Sequence, residues 1–478
     1  MGDEISRHEF SDEDFLNFRD RLESETRKLK EIFDSNAFDD GPETGGFELE
    51  ICITDASGKP RPDNARFLKQ VNDLDAVPEL SRFNIELNTP PRLLDSDALS
   101  LMHGSLQQTW EECTRAAAVI GDRLVMIGTL PSLSESDLTV ANMSDMERYR
   151  ALNEQVFRLR NGVPLHLDIQ GNDHLQTIHE DVMLEAATTS FQVHFQLNQQ
   201  QAVNCYNASL LTCAPLVAAC ANSPYLFDHD LWDETRIPLF EQSVRVRGME
   251  GESRRPERVW FGSGFARESL FELFEENLRR FPPLLPELRN ATEHDSVLDD
   301  FFHLRLHNGT LWRWVRPLIG CSDGKLHMRL EQRVIPAGPT VADNIANAAF
   351  YYGMLVALHD DPVVLANSFA TVRADFYRAA RYGLNTDVYW RGGHKVNVRE
   401  LILQELLPLA HKGLSRLGLD QADARRYLGI IRKRVESGQT GAAWQRGWMA
   451  KYHGTGAELV LGYYERQESG KPVHEWAI

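Results

Sequence analysis

The segment GFELEICITD, residues 46–55, alternates strictly, with Phe47, Leu49, Ile51 and Ile53 on one side and Glu48, Glu50 and Cys52 on the other. A period of two describes a strand with one packed face and one polar face. The pattern recurs along the chain. In RFNIELNT, residues 82–89, Phe83, Ile85 and Leu87 oppose Asn84, Glu86 and Asn88. In SFQVHFQLN, residues 190–198, Phe191, Val193, Phe195 and Leu197 oppose Gln192, His194 and Gln196. In LHMRLEQRV, residues 326–334, His327, Arg329, Glu331 and Arg333 alternate with Met328, Leu330 and Val334. FHLRLHNGT, residues 302–310, has the same alternation if extended, with His303, Arg305 and His307 on its polar side. Strands of a parallel doubly wound sheet are buried on both faces and do not alternate in this way. The chain is therefore expected to be α+β, built on an antiparallel sheet.

Helical spacing marks residues 11–34, where Phe15, Phe18, Leu22, Leu29 and Phe33 form one stripe. A short helix is expected in 63–74, a long one over 97–120, and a largely buried one over 200–224, disturbed near Pro215. Ser144, with Glu147 three residues on, has the spacing of a capping box. RLVMIGTLPSL, residues 123–133, and TLWRWVRPLIG, residues 310–320, are expected to supply strands, and 242–256 a surface loop. After Pro339 the pattern is mainly helical. The expected division is an N-terminal helical segment (1–44), a sheet-based catalytic domain (45–360) and a C-terminal helical region packed on it (361–478).

A merely solvated strand face would account for one such strand. Several of them, bearing carboxylates, arginines, histidines and amides but few lysines, ask for more. Arginine is the better fork for phosphate or carboxylate. Carboxylates on neighbouring strands bind hard divalent cations that share phosphate ligands. The formal charge of −19 disfavours nucleic acid or an anionic membrane as partner through a generic basic surface. No Walker-type phosphate loop is present, so side chains and metal ions must hold any nucleotide. Trp312 and Trp314 are expected to pack. The six cysteines lack a Cys-x-x-Cys pair and are expected to be reduced core residues. No uninterrupted run of about 18 apolar residues stands out, and the acidic amino terminus lacks a signal pattern. A cytoplasmic, non-membrane protein is the expectation.

The motifs together resemble the glutamate–cysteine ligases of plant and proteobacterial type and related carboxylate–amine ligases of the glutamine-synthetase-like superfamily. The resemblance rests on Glu48-Leu49-Glu50, Glu86 in NIELNT, TTSFQVHFQL, the Ala-Asn-Ser-Pro stretch at 221–224 with Arg236 downstream, and RPLIG…LHMRLEQR with Arg316, Glu331 and Arg333. It implies a curved antiparallel sheet of about six strands flanked by helices. Glu48, Glu50, Glu86 and Glu331 would bind magnesium (or manganese) that grips ATP. Gln192 and His194 would border the metal or nucleotide, with His194 also the candidate base, and Arg329 would join the nucleotide-holding set. Arg333, Arg316 and Arg236 would hold phosphate or the substrate glutamate. The implied reaction activates the γ-carboxylate of glutamate as an acyl phosphate, which an amine such as cysteine then attacks. Where many relatives have His-x-His and Thr-His-Pro, this chain has Gln192-Val193-His194 and Thr129-Leu130-Pro131, which bears on the amine. Two alternatives remain at this level: a regulatory nucleotide-binding relative without turnover, and a phosphagen-type kinase, for which no reactive cysteine stands in a polar loop.

Overall fold

The computed structural model describes residues 4–71, 74–246, 257–289 and 296–478. Six strands form the main path of one sheet: β1 (Thr44–Thr54), β2 (Ala76–Pro78), β3 (Asn84–Asn88), β4 (Phe191–Leu197), β5 (Val315–Ser322) and β6 (Lys325–Gln332). Their order across the sheet is β5-β6-β4-β1-β3-β2, and every neighbouring pair is antiparallel. Two short strands, Arg92–Leu93 and Arg123–Val125, pair with the two ends of β1, giving eight in all. The fold is the expected α+β, with a curved antiparallel sheet and flanking helices.

The alternation in the sequence decides which side is which. Phe47, Leu49, Ile51, Leu87, Phe191, Val193, Phe195 and Leu330 are buried on one face. The helices Ala202–Cys220 and Val341–Leu358 cover that face. Each such side chain taken from water contributes about 1.5–3 kcal/mol, enough to pin a register that a one-residue slip would invert. Tyr352, on the second helix, donates its hydroxyl to the His194 carbonyl at 3.1 Å. The fit is tight: a Cβ at Gly45 would lie 2.6 Å from the Tyr352 hydroxyl oxygen, so only glycine fits there.

One helical stretch, residues 199–220, is long and apolar enough to cross a bilayer by length and composition, and it is the helix expected to be largely buried. It is 89% buried inside the protein and serves as a core helix. After residue 340 the chain is mainly helical, as expected. The helix Gln421–Ser437 is tied to Val341–Leu358 by a buried Arg434–Asp343 ion pair of 2.7 Å.

Several local expectations change. FHLRLHNGT is not extended; Phe302–Gly309 is a helix. Period alone could not decide, because the segment is buried nearly all round: His303 Nδ1 lies 2.5 Å from Glu25, and His307 Nε2 is bonded to the Asn277 carbonyl at 3.2 Å. Ser144 does not cap the helix Glu147–Leu159, whose N-cap is Met146. Its hydroxyl instead donates to the Glu79 carbonyl and accepts from Asn64 Nδ2. Only Arg123–Val125 of the segment 123–133 is a strand. Of the expected loop at 242–256, residues 247–256 lie outside the described residues. The cysteines are all unpaired, and five of the six are buried.

Candidate functional site

Register brings the polar residues of different strands together on the open face. Glu48 stands opposite Gln192 and Glu50 opposite Glu86. Glu331 stands opposite His194 on one side and Arg316 on the other. All of these except His194 floor a cavity of about 180 Å³. Its cover comes from the helices Glu147–Leu159, Phe271–Arg280 and Phe302–Gly309, which contribute Tyr149, Leu152, Phe274, Leu304 and Leu306. The segment misread as a strand is therefore part of the roof.

The floor divides into two groups of possible metal ligands. Glu50, Glu79 and Glu86 each bring a carboxylate oxygen within 4.8 Å of the others. Glu48, His194 and Glu331 do the same with two carboxylates and a ring nitrogen, and His194 Nε2 lies 3.1 Å from Glu48 Oε1. The groups differ in how their charge is balanced. Glu331 receives both Nε and Nη2 of Arg316, at 2.7 and 2.9 Å, and Nη1 of Arg333 at 3.1 Å. Burial works against its ionisation, but the two guanidiniums win and hold its pKa at about 2.

In the first group burial prevails. Burial raises Glu50 despite Arg333 nearby, although Ser190 N and Gln192 Nε2 donate to its two oxygens at 2.6 and 2.8 Å. Burial, Glu48 and Glu50 push Glu86 up to about 7. Burial, Glu86 and Glu50 raise Glu79 well above the usual carboxylate range. Three mutually repelling carboxyls on an all-oxygen site fit a hard divalent cation.

The arginines line the other part of the cavity. Arg316, Arg329 and Arg333 each keep one buried N–H without an acceptor among the described residues, at Nη1, Nε and Nε respectively. Arg333 Nη1 also donates to the Gln192 side-chain carbonyl. An anion placed among them would meet donors already held in place.

Eight of the ten residues singled out from the sequence line the cavity: Glu48, Glu50, Glu86, Gln192, Arg316, Arg329, Glu331 and Arg333. His194 stands behind Glu48 and does not line it. Arg236 is also set back. Its Nε reaches Glu234 at 3.2 Å, and its Nη2 donates to the carbonyls of Arg333 and Val334 at 3.1 and 2.6 Å. It fixes the end of the strand that carries Arg333. Sequence reading missed Glu79, Glu185 and Arg148, all of which line the cavity. Glu79 follows a strand of three residues, too short to show alternation. Glu185 sits in a 3₁₀ turn, Met183–Ala187, where a lone carboxylate looks like a solvated residue.

The sequence model of the family described as Glutamate-cysteine ligase family 2 (GCS2) matches residues 44–462. No curated protein matches the chain. Among solved structures, the chain is similar to glutamate–cysteine ligase from Francisella tularensis in complex with AMP, with a TM-score of 0.59 and 11% identity over 92% of this chain and 90% of that one. At that identity the likeness establishes the fold. A bifunctional glutathione synthetase from Pasteurella multocida aligns with a TM-score of 0.46 and 14% identity, over 92% of this chain and 54% of that chain.

Proposed function

The chain belongs to glutamate-cysteine ligase family 2, and from that premise we propose that it is an ATP-dependent ligase joining the γ-carboxylate of glutamate to an amine through an acyl phosphate, with cysteine the first amine to test. The observation that carries the reading is the juxtaposition on one sheet face of a three-carboxylate cluster, Glu50, Glu79 and Glu86, with three arginines whose donors are not all used. ATP and a divalent cation need both.

Glu50, Glu79 and Glu86 would hold one magnesium ion, and Glu48 with His194 and Glu331 a second. Magnesium bound there would neutralise phosphate oxygens of ATP and align them for transfer. Arg329 and Arg333 would bind the transferring phosphoryl group. Arg316, half committed to Glu331 through two of its nitrogens, would bind a carboxylate of the acid substrate through Nη1. Gln192 links Arg333 to Glu50, so the anion-binding and cation-binding sides are held in one register. The helical roof would keep water from the acyl phosphate until the amine attacks. Unpaired cysteines suit the reducing cytoplasm.

The test is to incubate the protein with magnesium-ATP, glutamate and each of a panel of amino acids and simple amines, following phosphate release and identifying products by mass. Amide product that requires glutamate, an amine and the metal is expected. Turnover that survives complete chelation, or phosphate release with no amide from any pair, would overturn the reading.

A further inference from the structure

Glu185 belongs to neither ligand cluster, yet it lines the same cavity. Among the described residues its carboxylate makes no hydrogen bond or ion pair, whereas Glu50, Glu79 and Glu331 all accept hydrogen bonds. It is only partly exposed, and the other four residues of its turn are buried. The turn is anchored at both ends: Asn153 Oδ1 accepts from Val182 N at 3.0 Å, and Thr189 N donates to the Gly128 carbonyl at 3.0 Å. The carboxylate is therefore presented to the cavity from a fixed backbone, on the side where Glu50, Arg333 and Arg148 also stand.

We propose that Glu185 receives the amine substrate as its ammonium ion and takes the proton that must leave before nitrogen can attack. The inference rests on the ligase reading above. An acyl phosphate reacts with a free amine, but alkylamines reach the enzyme protonated at neutral pH. At Glu185 the ammonium passes one proton to the carboxylate, freeing the nitrogen lone pair. The nitrogen attacks the acyl carbon and forms the C–N bond. The C–O bond to phosphate then breaks, phosphate leaves with that electron pair, and the second N–H proton goes to the departing phosphate. Release of the Glu185 proton to solvent completes the cycle.

Hydroxylamine separates this step from the preceding phosphoryl transfer, because at about pH 8 it is already a neutral nucleophile. With glutamate and magnesium-ATP, the wild type should give hydroxamate with hydroxylamine and amide with cysteine or methylamine. Glu185→Gln should keep hydroxamate formation within about threefold while kcat/KM for cysteine or methylamine falls about a hundredfold or more. Glu185→Asp should restore part of that loss, and the remaining amine activity of Glu185→Gln should rise with pH. Equal losses with both kinds of nucleophile would place Glu185 in metal binding or folding and overturn the inference. So would unchanged amine kinetics in Glu185→Gln, or a wild type that forms hydroxamate but no amide. A wild type that forms no hydroxamate would overturn the ligase reading itself.

Discussion

Replacing Glu86 with glutamine should make the metal-free protein more stable and the enzyme inactive. Glu86 is fully buried and faces Glu50 across the β1–β3 pair. Burial, Glu48 and Glu50 raise its pKa from 4.5 to about 7. A carboxyl with a raised folded-state pKa holds its proton in the native state after the unfolded chain has lost it. Its destabilising effect is therefore absent below about pH 4.5, grows between 4.5 and 7, and is complete above 7. At pH 8 that amounts to an upper bound on the order of 3 kcal/mol. The glutamine variant keeps the shape, removes the charge and can donate to Glu50. For 478 residues, 1 kcal/mol corresponds to a Tm change of about 1 °C. Metal-free E86Q should then melt about 1–3 °C above wild type at pH 8 and level with it at pH 5. Magnesium-ATP should reverse the order by stabilising the wild type more, and kcat should fall about a hundredfold or more, equivalent to about 2.7 kcal/mol. Scanning calorimetry at the two pH values, with and without magnesium-ATP, reads all of this. A variant that melts below wild type at pH 8, or that gains as much from magnesium-ATP, would refute the argument that these carboxylates await a cation.

Arg333→Lys should lower turnover at least tenfold with little change in Tm, because one ammonium cannot serve Gln192, Glu331 and an anion together; steady-state rates beside a melt decide it. Arg236→Met should act in the opposite sense, costing about 3 kcal/mol or more in chemical denaturation, since it strands buried Glu234 and two carbonyls. Glu112, on the helix Ala98–Ile120 with Gln108 as its side-chain hydrogen-bond partner among the described residues, should tolerate glutamine within about 0.5 kcal/mol and with unchanged rates.

The alternation around Glu48, Glu86, His194 and Arg329 favoured an antiparallel sheet and showed which side of each of these strands is polar. Side-chain direction in a strand follows from backbone geometry, so no tertiary information is needed. The density of glutamate and arginine on that face is what motivates the proposed metal and phosphate chemistry. Register was a different matter. Glu50 meets Glu86, and Glu331 meets His194 and Arg316, only through hydrogen-bonded pairing of strands far apart in the chain. Glu79 and Glu185 enter the site from a three-residue strand and a single turn, too short for any period to be seen. Arg236 stands back from the cavity, bonded to Glu234 and to the carbonyls of Arg333 and Val334, a placement hidden from sequence because sequence shows a charge but not what it faces. The segment Phe302–Gly309 is a helix that period alone could not tell from a strand, because it is buried nearly all round.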